Sequence, residues 1–475
     1  MRAAVVGSGP NGLAAALTLA RAGISVEVYE GAERAGGGCR TAELTLPGFA
    51  HDVCSAVHPL LAASPFFARE RLPGVELLTP EVAFAHPLDG ELAVAVYGSV
   101  PRTAEQLGAD GPLYRKVLGA YLRDWEKIVA SSLAPMLRTP PHPLAMARFG
   151  ALGVLPATLP ARRLQTRSGR ALLAGLAAHS MRPLSAPGTT AFALLLGMLA
   201  HAVGWPVVRG GSERIIDALV AEIEGSGGLI RTGHFVQSLD ELSGFDCTLL
   251  DVAPRTLGGI AGERLPAGYR RALGRFRHGP GVFKLDWALA GPVPWRSAVC
   301  RRTTTLHIGG DFEQIARSEA EVAAGRHSER PFCIAVQPCV LDPSRAPEGQ
   351  HTFYAYCHVP PASTVDMTER VEAQIERFAP GFRDLIVARS AMNARQLEAY
   401  DPNYVGGDIN SGAATLRQTF FRPTLAPRPY RTPLERVYLC SSSTPPGGGV
   451  HGMCGLQAAR VALGDLGPGR VAGSV

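Results

Sequence analysis

Ala3-Ala4-Val5-Val6-Gly7-Ser8-Gly9-Pro10-Asn11-Gly12, running on into Leu13 to Ala20 and Gly23, decides how the rest of the chain is read. Arg2 to Val6 is mostly apolar and stops at glycines, which predicts a short buried strand. Residues 10 to 21 predict a helix with Leu13, Ala14, Ala16, Leu17 and Ala20 turned inward. Gly7 permits the tight turn, Gly9 lets the backbone approach a pyrophosphate, and Gly12 lets helix and sheet pack closely, while the first helical N–H groups face an anion. A second strand, Ile24 to Tyr29, ends on Glu30. An acid about 20 residues beyond the glycines is placed to bond a ribose hydroxyl and to repel a 2′-phosphate. Strand, turn, helix, strand and acid in this order predict a dinucleotide-binding unit and leave NAD or FAD open.

A chain of 475 residues exceeds one ordinary core and predicts two or three domains. The net charge of +6 is small for this length, and the positive residues are scattered, so nucleic-acid binding has no support. Nearly all basic residues are Arg, with lysine at 116, 127 and 284; with many Ala, Gly and Pro, this fits a GC-rich bacterial genome. The nine cysteines stand singly from Cys39 to Cys454 with no CxxC or zinc spacing, so a reduced cytoplasmic protein without a metal centre is expected. No signal peptide is read before the first strand. The most apolar stretch, Thr189 to Val208, contains His201 and Trp205-Pro206 and predicts a buried helix, with a peripheral membrane contact left open.

Arg34-Ala35-Gly36-Gly37-Gly38-Cys39-Arg40-Thr41 follows the second strand, well placed to run beside an extended cofactor with Arg40 reaching its phosphates. Residues 60 to 185 alternate helical runs such as Tyr114 to Ala130 with proline-rich breaks, which predicts a helical cap. Ser212 is expected to cap a helix carrying Ile215, Ile216, Leu219, Val220 and Ile223 on one face. Leu229-Ile230-Arg231 and Cys247 to Val252 read as strands that extend the first parallel sheet, making the nucleotide domain discontinuous. Val282 to Ala290, Phe332 to Val340 and His351 to Val359 lack intervening helical patterns and predict an antiparallel sheet, followed by an amphipathic helix over 364–386 with Val371, Ile375 and Phe378 on its inner face. Val437 to Cys440, a turn at Pro445-Pro446-Gly447-Gly448-Gly449 and a helix from Met453 to Leu463 repeat the logic of the opening.

The N-terminal fingerprint, the Gly37-Gly38 to Thr41 loop, Arg209-Gly210-Gly211 and the terminal Pro446 to Met453 together resemble phytoene-desaturase-like flavoproteins. The resemblance is nearer to the branch holding the pyridine nucleotide-disulphide oxidoreductase domain-containing protein 2 and the bacterial carotenoid ketolases. Further matches to that branch are Leu341-Asp342-Pro343-Ser344-Arg345-Ala346-Pro347-Glu348-Gly349 and Asn403 to Ile409, continuing to Gln418, Arg422 and Pro423. It implies an α/β fold, with a Rossmann-type FAD-binding domain of residues 1–65, 205–260 and 425–475. The substrate domain, 66–204 and 261–424, would carry an antiparallel sheet and the helical cap. Carried over by position, Gly7, Gly9, Pro10, Asn11 and Gly12 hold the pyrophosphate and Glu30 the ribose. Arg34, Gly37, Gly38, Cys39, Arg40 and Thr41 line the phosphates and ribityl chain. Val236 meets the adenine; Val57, His58 and Pro59 surround the isoalloxazine with Gly448, Val450, His451 and Met453. Ser442 bonds a ribityl hydroxyl in place of the acid often found there.

No CxxxxC pair follows the first turn, so a disulphide-reductase mechanism lacks its dithiol, and no second complete GxGxxG supplies a built-in NAD(P)H domain. The expectation is a secondary-metabolic oxidoreductase in which non-covalent FAD oxidises an apolar or polycyclic small molecule. Electrons then leave to oxygen, a quinone or another carrier, or return to substrate in an isomerisation. A protein that binds FAD for stability and acts through partners is the alternative. His451 and His58 are the expected bases. Cys39 and Cys454 are expected as buried structural thiols, Asp408 and Arg422 as either a loop ion pair or cavity residues, and Tyr400, Tyr404, Phe420 and Phe421 chiefly as core.

Overall fold

The computed structural model describes residues 1–90, 92–137 and 139–467; the last residues of the expected 425–475 segment lie outside them. The first sheet has five parallel strands in the order Val437–Leu439, Cys247–Leu250, Arg2–Val6, Ser25–Tyr29, Leu229–Arg231. Strands from the start, middle and end of the chain therefore lie side by side. Ala3, Ala4 and Val5 are wholly buried at its centre, as a run without alternation requires of a strand covered on both faces.

The helix Pro10–Arg21 packs against the C-terminal helix Met453–Leu466. A Cβ on Gly455 would run into the Asn11 carbonyl, so the two helices approach as closely as backbone allows. The first turn and the last helix are thus one packed unit.

The second sheet has seven strands in the order Ile386–Met392, Gly281–Leu289, His351–Val359, Cys333–Val336, Thr305–Ile308, Val82–Pro87, Ala93–Tyr97. Its pairings are antiparallel except Thr305–Ile308 with Val82–Pro87. The last two strands fall within residues 60 to 185, where only helical runs and proline-rich breaks are expected. Val82–Pro87 is buried at every position, and a run that short, apolar but for His86, has no period to betray it. The rest of that region is helical, with Thr189–Ala202 packed on Arg167–Ala178. No helix among the described residues is long and apolar enough to cross a membrane.

Ser212 is a second correction. It precedes the helix Glu213–Gly225, but its side chain makes no cap; the hydroxyl donates instead to the Ser55 carbonyl at 2.6 Å.

Candidate active site

Ligands of open parallel sheets bind beyond the carboxyl ends of the strands, where neighbouring strands diverge. Arg2–Val6 leads there into Gly7, Ser8 and Gly9, Ser25–Tyr29 into Glu30, Cys247–Leu250 into Asp251, and Val437–Leu439 into Ser441 and Ser442. All of these residues line one cleft of about 620 Å³, which continues to residues of the seven-stranded sheet, Thr305, Ile334, Val336, Tyr354 and Tyr356.

At the nucleotide end, Gly9 is the N-cap of Pro10–Arg21 with no side-chain cap and no acid in the first turn of its own, the Gly12 N–H being taken by Asp251 from the neighbouring strand end. Gly7 has φ +97°, and a Cβ there would meet the Asp251 backbone. Asn11 joins the two ends of the chain, its Nδ2 donating to Ser442 Oγ at 3.1 Å. Its Oδ1 is buried without a hydrogen-bond partner among the described residues. Glu30 accepts from the Ser8 N–H at 3.0 Å and the Ala32 N–H at 2.9 Å, with Arg40 3.4 Å away. Val236 is buried at the rim beside exposed Phe235.

Asp251 was not singled out by the sequence. Its carboxylate accepts the Gly12 N–H at 2.8 Å. Burial, with the neighbouring Asp401 and Glu30 charges, pushes its pKa up to about 8 against that hydrogen bond. The floor of the phosphate-facing turn is therefore a neutral acid at pH 7. Asp401, in the same cleft, is also raised by burial.

Of the residues expected at the cofactor, Gly7, Gly9, Pro10, Asn11, Glu30, Gly37, Gly38, Cys39, Arg40, Val57, His58, Val236, Ser442 and Val450 line the cleft. Six do not. Gly12 gives its N–H to Asp251. Arg34 reaches outward to pair with Glu213, and Thr41 donates to Asp52 at 2.9 Å. Gly448 packs against Asn410. His451 and Met453 satisfy each other: the Met453 N–H donates to Nδ1 at 3.1 Å, while Nε2 donates to the Gly447 carbonyl at 3.1 Å. With both nitrogens committed to the backbone and burial lowering its pKa to about 4, His451 clamps the terminal turn. The Met453 N–H is likewise unavailable to stabilise charge on a ligand.

His58 keeps a place at the cleft. Ser212 Oγ is a donor to Ser55, so His58 Nε2 donates to Ser212 Oγ at 2.8 Å and Nδ1 carries the lone pair, buried without a partner among the described residues. Burial lowers its pKa to about 4.

Tyr400 and Tyr404 line the cleft, Tyr404 as part of the buried core, whereas Phe420 is exposed. Asp408 and Arg422 do not line it, and no ion pair joins them to each other among the described residues; Asp408 accepts the Gly279, Asn410 and Gly412 N–H groups. All nine cysteines are free. Burial raises Cys39 and, to about 11, Cys454, so these thiols stay protonated.

Residues 5–67 match the family model for an NAD(P)-binding Rossmann-like domain. Pyridine nucleotide-disulfide oxidoreductase domain-containing protein 2 of Rattus norvegicus is 25% identical, over 98% of this chain and 93% of its own length. The lycopene-forming phytoene desaturase of Pantoea ananas is 26% identical over 26% of this chain and 27% of its own. Among solved structures, an oxidoreductase from Methanosarcina mazei superposes with a TM-score of 0.68 at 16% identity, over 97% of this chain and 99% of that one. Cyclohexylamine oxidase from Brevibacterium oxydans does so with a TM-score of 0.58 at 14% identity, over 98% and 99%. The cleft geometry and these likenesses agree: the chain carries an NAD(P)-binding Rossmann-like domain and is homologous, at low identity, to pyridine nucleotide-disulfide oxidoreductase domain-containing protein 2 and to the phytoene-desaturase-like enzymes.

Proposed function

We propose that the protein is an FAD-dependent oxidoreductase that oxidises an apolar small molecule and passes the electrons to oxygen, a quinone or another external carrier. The observation that carries this reading is the continuity of one cleft from the strand ends of the parallel sheet to the side chains of the antiparallel sheet. A cofactor long enough to reach from Val236 to Tyr356 would meet a substrate there. In this reading the parallel sheet and its helices, residues 1–65, 205–260 and 425–475, form the cofactor domain, and the intervening segments form the substrate domain.

The donor set fits FAD. The glycine turn at the start of the first helix faces a dinucleotide backbone, the unpartnered Asn11 Oδ1 beside Ser442 is an acceptor for a hydroxyl, Glu30 is placed for a ribose, and protonated Asp251 sets no charge against phosphate. Ser442 offers a hydroxyl for the ribityl chain, and protonated Cys39 leaves the attachment non-covalent. When bound, flavin supplies a two-electron hydride acceptor. The chain's own residues orient the substrate against Tyr354 and Tyr356, exclude water through Trp205 and Leu196, and keep His58, whose buried Nδ1 has no partner among the described residues, at the cleft wall as the candidate base.

The test is anaerobic mixing of the holoprotein with a panel of amines, alcohols, terpenoids and polyketides. At least one compound is expected to bleach the oxidised flavin, with colour returning on admission of oxygen or a quinone. A flavin that stays oxidised against the whole panel supports instead a protein that holds FAD for stability alone.

A further inference from the structure

Behind the substrate end of the cleft lie three histidines far apart in the sequence. His179, just past the helix Arg167–Ala178, lines the cleft, whereas His307 and His86 are wholly buried. His179 Nε2 and His307 Nε2 are 2.8 Å apart. His86 Nε2 is 2.6 Å from the Gly310 carbonyl oxygen. The remaining nitrogens of His307 and His86, both Nδ1, are buried without hydrogen-bond partners and converge on Gly175, where a Cβ would lie 2.8 Å from one and 2.9 Å from the other. His307 is held by Phe84 and Trp205, with ring centroids 4.7 and 5.7 Å away.

The tautomers follow from the Gly310 end. A carbonyl only accepts, so His86 carries its proton on Nε2 and its Nδ1 is a bare lone pair. With His307 protonated on Nδ1, the Gly175 pocket does not hold two bare lone pairs, and its Nε2 is then the acceptor. His179 must then donate from Nε2. The nitrogen it has left, Nδ1, has no hydrogen-bond partner among the described residues. Burial keeps the chain neutral: the His179 pKa is lowered to about 3, with a further push from His358, itself bonded to Glu319 at 2.9 Å.

We infer that His179 is the hydrogen-bond acceptor of the substrate end: its Nδ1 lone pair, fixed by His307, His86 and Gly310, selects compact apolar molecules that present an N–H or O–H donor. The surroundings supply the apolar part of that preference, since His179 shares its end of the cleft with Leu196, Trp205, Ile334, Tyr354 and Tyr356. The inference rests on the cleft being a substrate site, as in the proposed function, but not on which cofactor fills its other end.

The test has two readouts. In protein labelled with ¹⁵N-histidine, a long-range ¹H–¹⁵N spectrum, assigned with His179→Phe, is expected to show a pyridine-type Nδ1 and a pyrrole-type Nε2 for His179. By calorimetry, the holoprotein is expected to bind phenol about tenfold more tightly than anisole, the worth of one hydrogen bond. His179→Phe, which keeps a ring in place, should bring the two within about twofold at unchanged thermal midpoint, and His307→Leu, which frees the tautomer, should narrow the gap as well. A pyrrole-type Nδ1 overturns the inference. So does equal affinity for the two probes, binding of neither, or a phenol preference that survives His179→Phe. The nitrogen shift requires no flavin, so failure of the FAD reading is distinguishable from failure of this one.

Discussion

Replacing Arg345 by Leu is expected to lower the unfolding free energy by about 3–5 kcal/mol, the cost of leaving a buried charge without its partner. The guanidinium is 1% exposed and Asp52 is 2% exposed. Arg345 Nη2 donates to Asp52 Oδ2 at 2.8 Å and Nε to the Ala50 carbonyl at 3.0 Å, while the Ala50 N–H donates back to the Arg345 carbonyl at 2.8 Å. The other Asp52 oxygen accepts from Thr41 Oγ1 at 2.9 Å and from the Ser212 N–H at 2.8 Å. One carboxylate thus ties together the loop after the second strand, the turn before the helix Glu213–Gly225 and the Asp342 to Arg345 segment.

Burial alone would raise the Asp52 carboxyl; the Arg345 charge and the Ser212 and Thr41 hydrogen bonds hold it below its ordinary value. A depressed acid contributes stability that is present above its unfolded pKa, about 4, and lost as pH falls through the folded value. Urea unfolding at pH 7 measures the effect. Arg345→Lys should restore little, because a single ammonium cannot serve both Ala50 and Asp52. Asp52→Asn combined with Arg345→Leu should recover part of the loss, since no charge is then stranded. A loss under about 1 kcal/mol for Arg345→Leu would contradict this picture of the site.

Asp251→Asn has the opposite sign and a comparable size. With a folded pKa of about 8 and an unfolded one of about 4, Asp251 holds its proton in the folded chain and loses it in the unfolded chain throughout the interval between them. The folded state binds more protons there, so stability is full below about pH 4 and is lost progressively as pH rises to about 8. Asn still accepts the Gly12 N–H and never ionises beside Asp401 and Glu30. The variant should match the wild type below about pH 4 and exceed it increasingly up to about pH 8, by roughly 1.4 kcal/mol per pH unit between them. Equal differences at the two pH values would show that Asp251 ionises freely in the folded protein.

Where a segment's own pattern determined its structure, the sequence was readable. The strand, helix and strand of residues 2–29 lie within a residue of expectation because their apolar runs end at glycines and an acid. Gly281–Leu289 and His351–Val359 stood out because no helical period separates them. Ile386–Met392 was missed although it alternates between half-buried and exposed, as an edge strand does, because it lacks the aromatic residues that marked the others. Asp251 had an available signal: it follows a buried parallel strand just as Glu30 does, and an acid at that edge reads as cleft-facing. The His179, His307 and His86 chain had none. Its members come from a helix end and two strands whose pairing no local spacing encodes. For His451, nearness to the terminal glycines in sequence places it beside the turn, but only the fold shows both ring nitrogens turned onto the backbone.

The central claim is that the start, middle and end of the chain close on one extended FAD. It is tested most directly by denaturing the purified protein after incubation with FAD and removal of the excess, and identifying what is released. About one FAD per chain, free in the supernatant and absent from the precipitated polypeptide, is the predicted result. Protein that releases no flavin after reconstitution, or that retains only a nicotinamide dinucleotide, would contradict it.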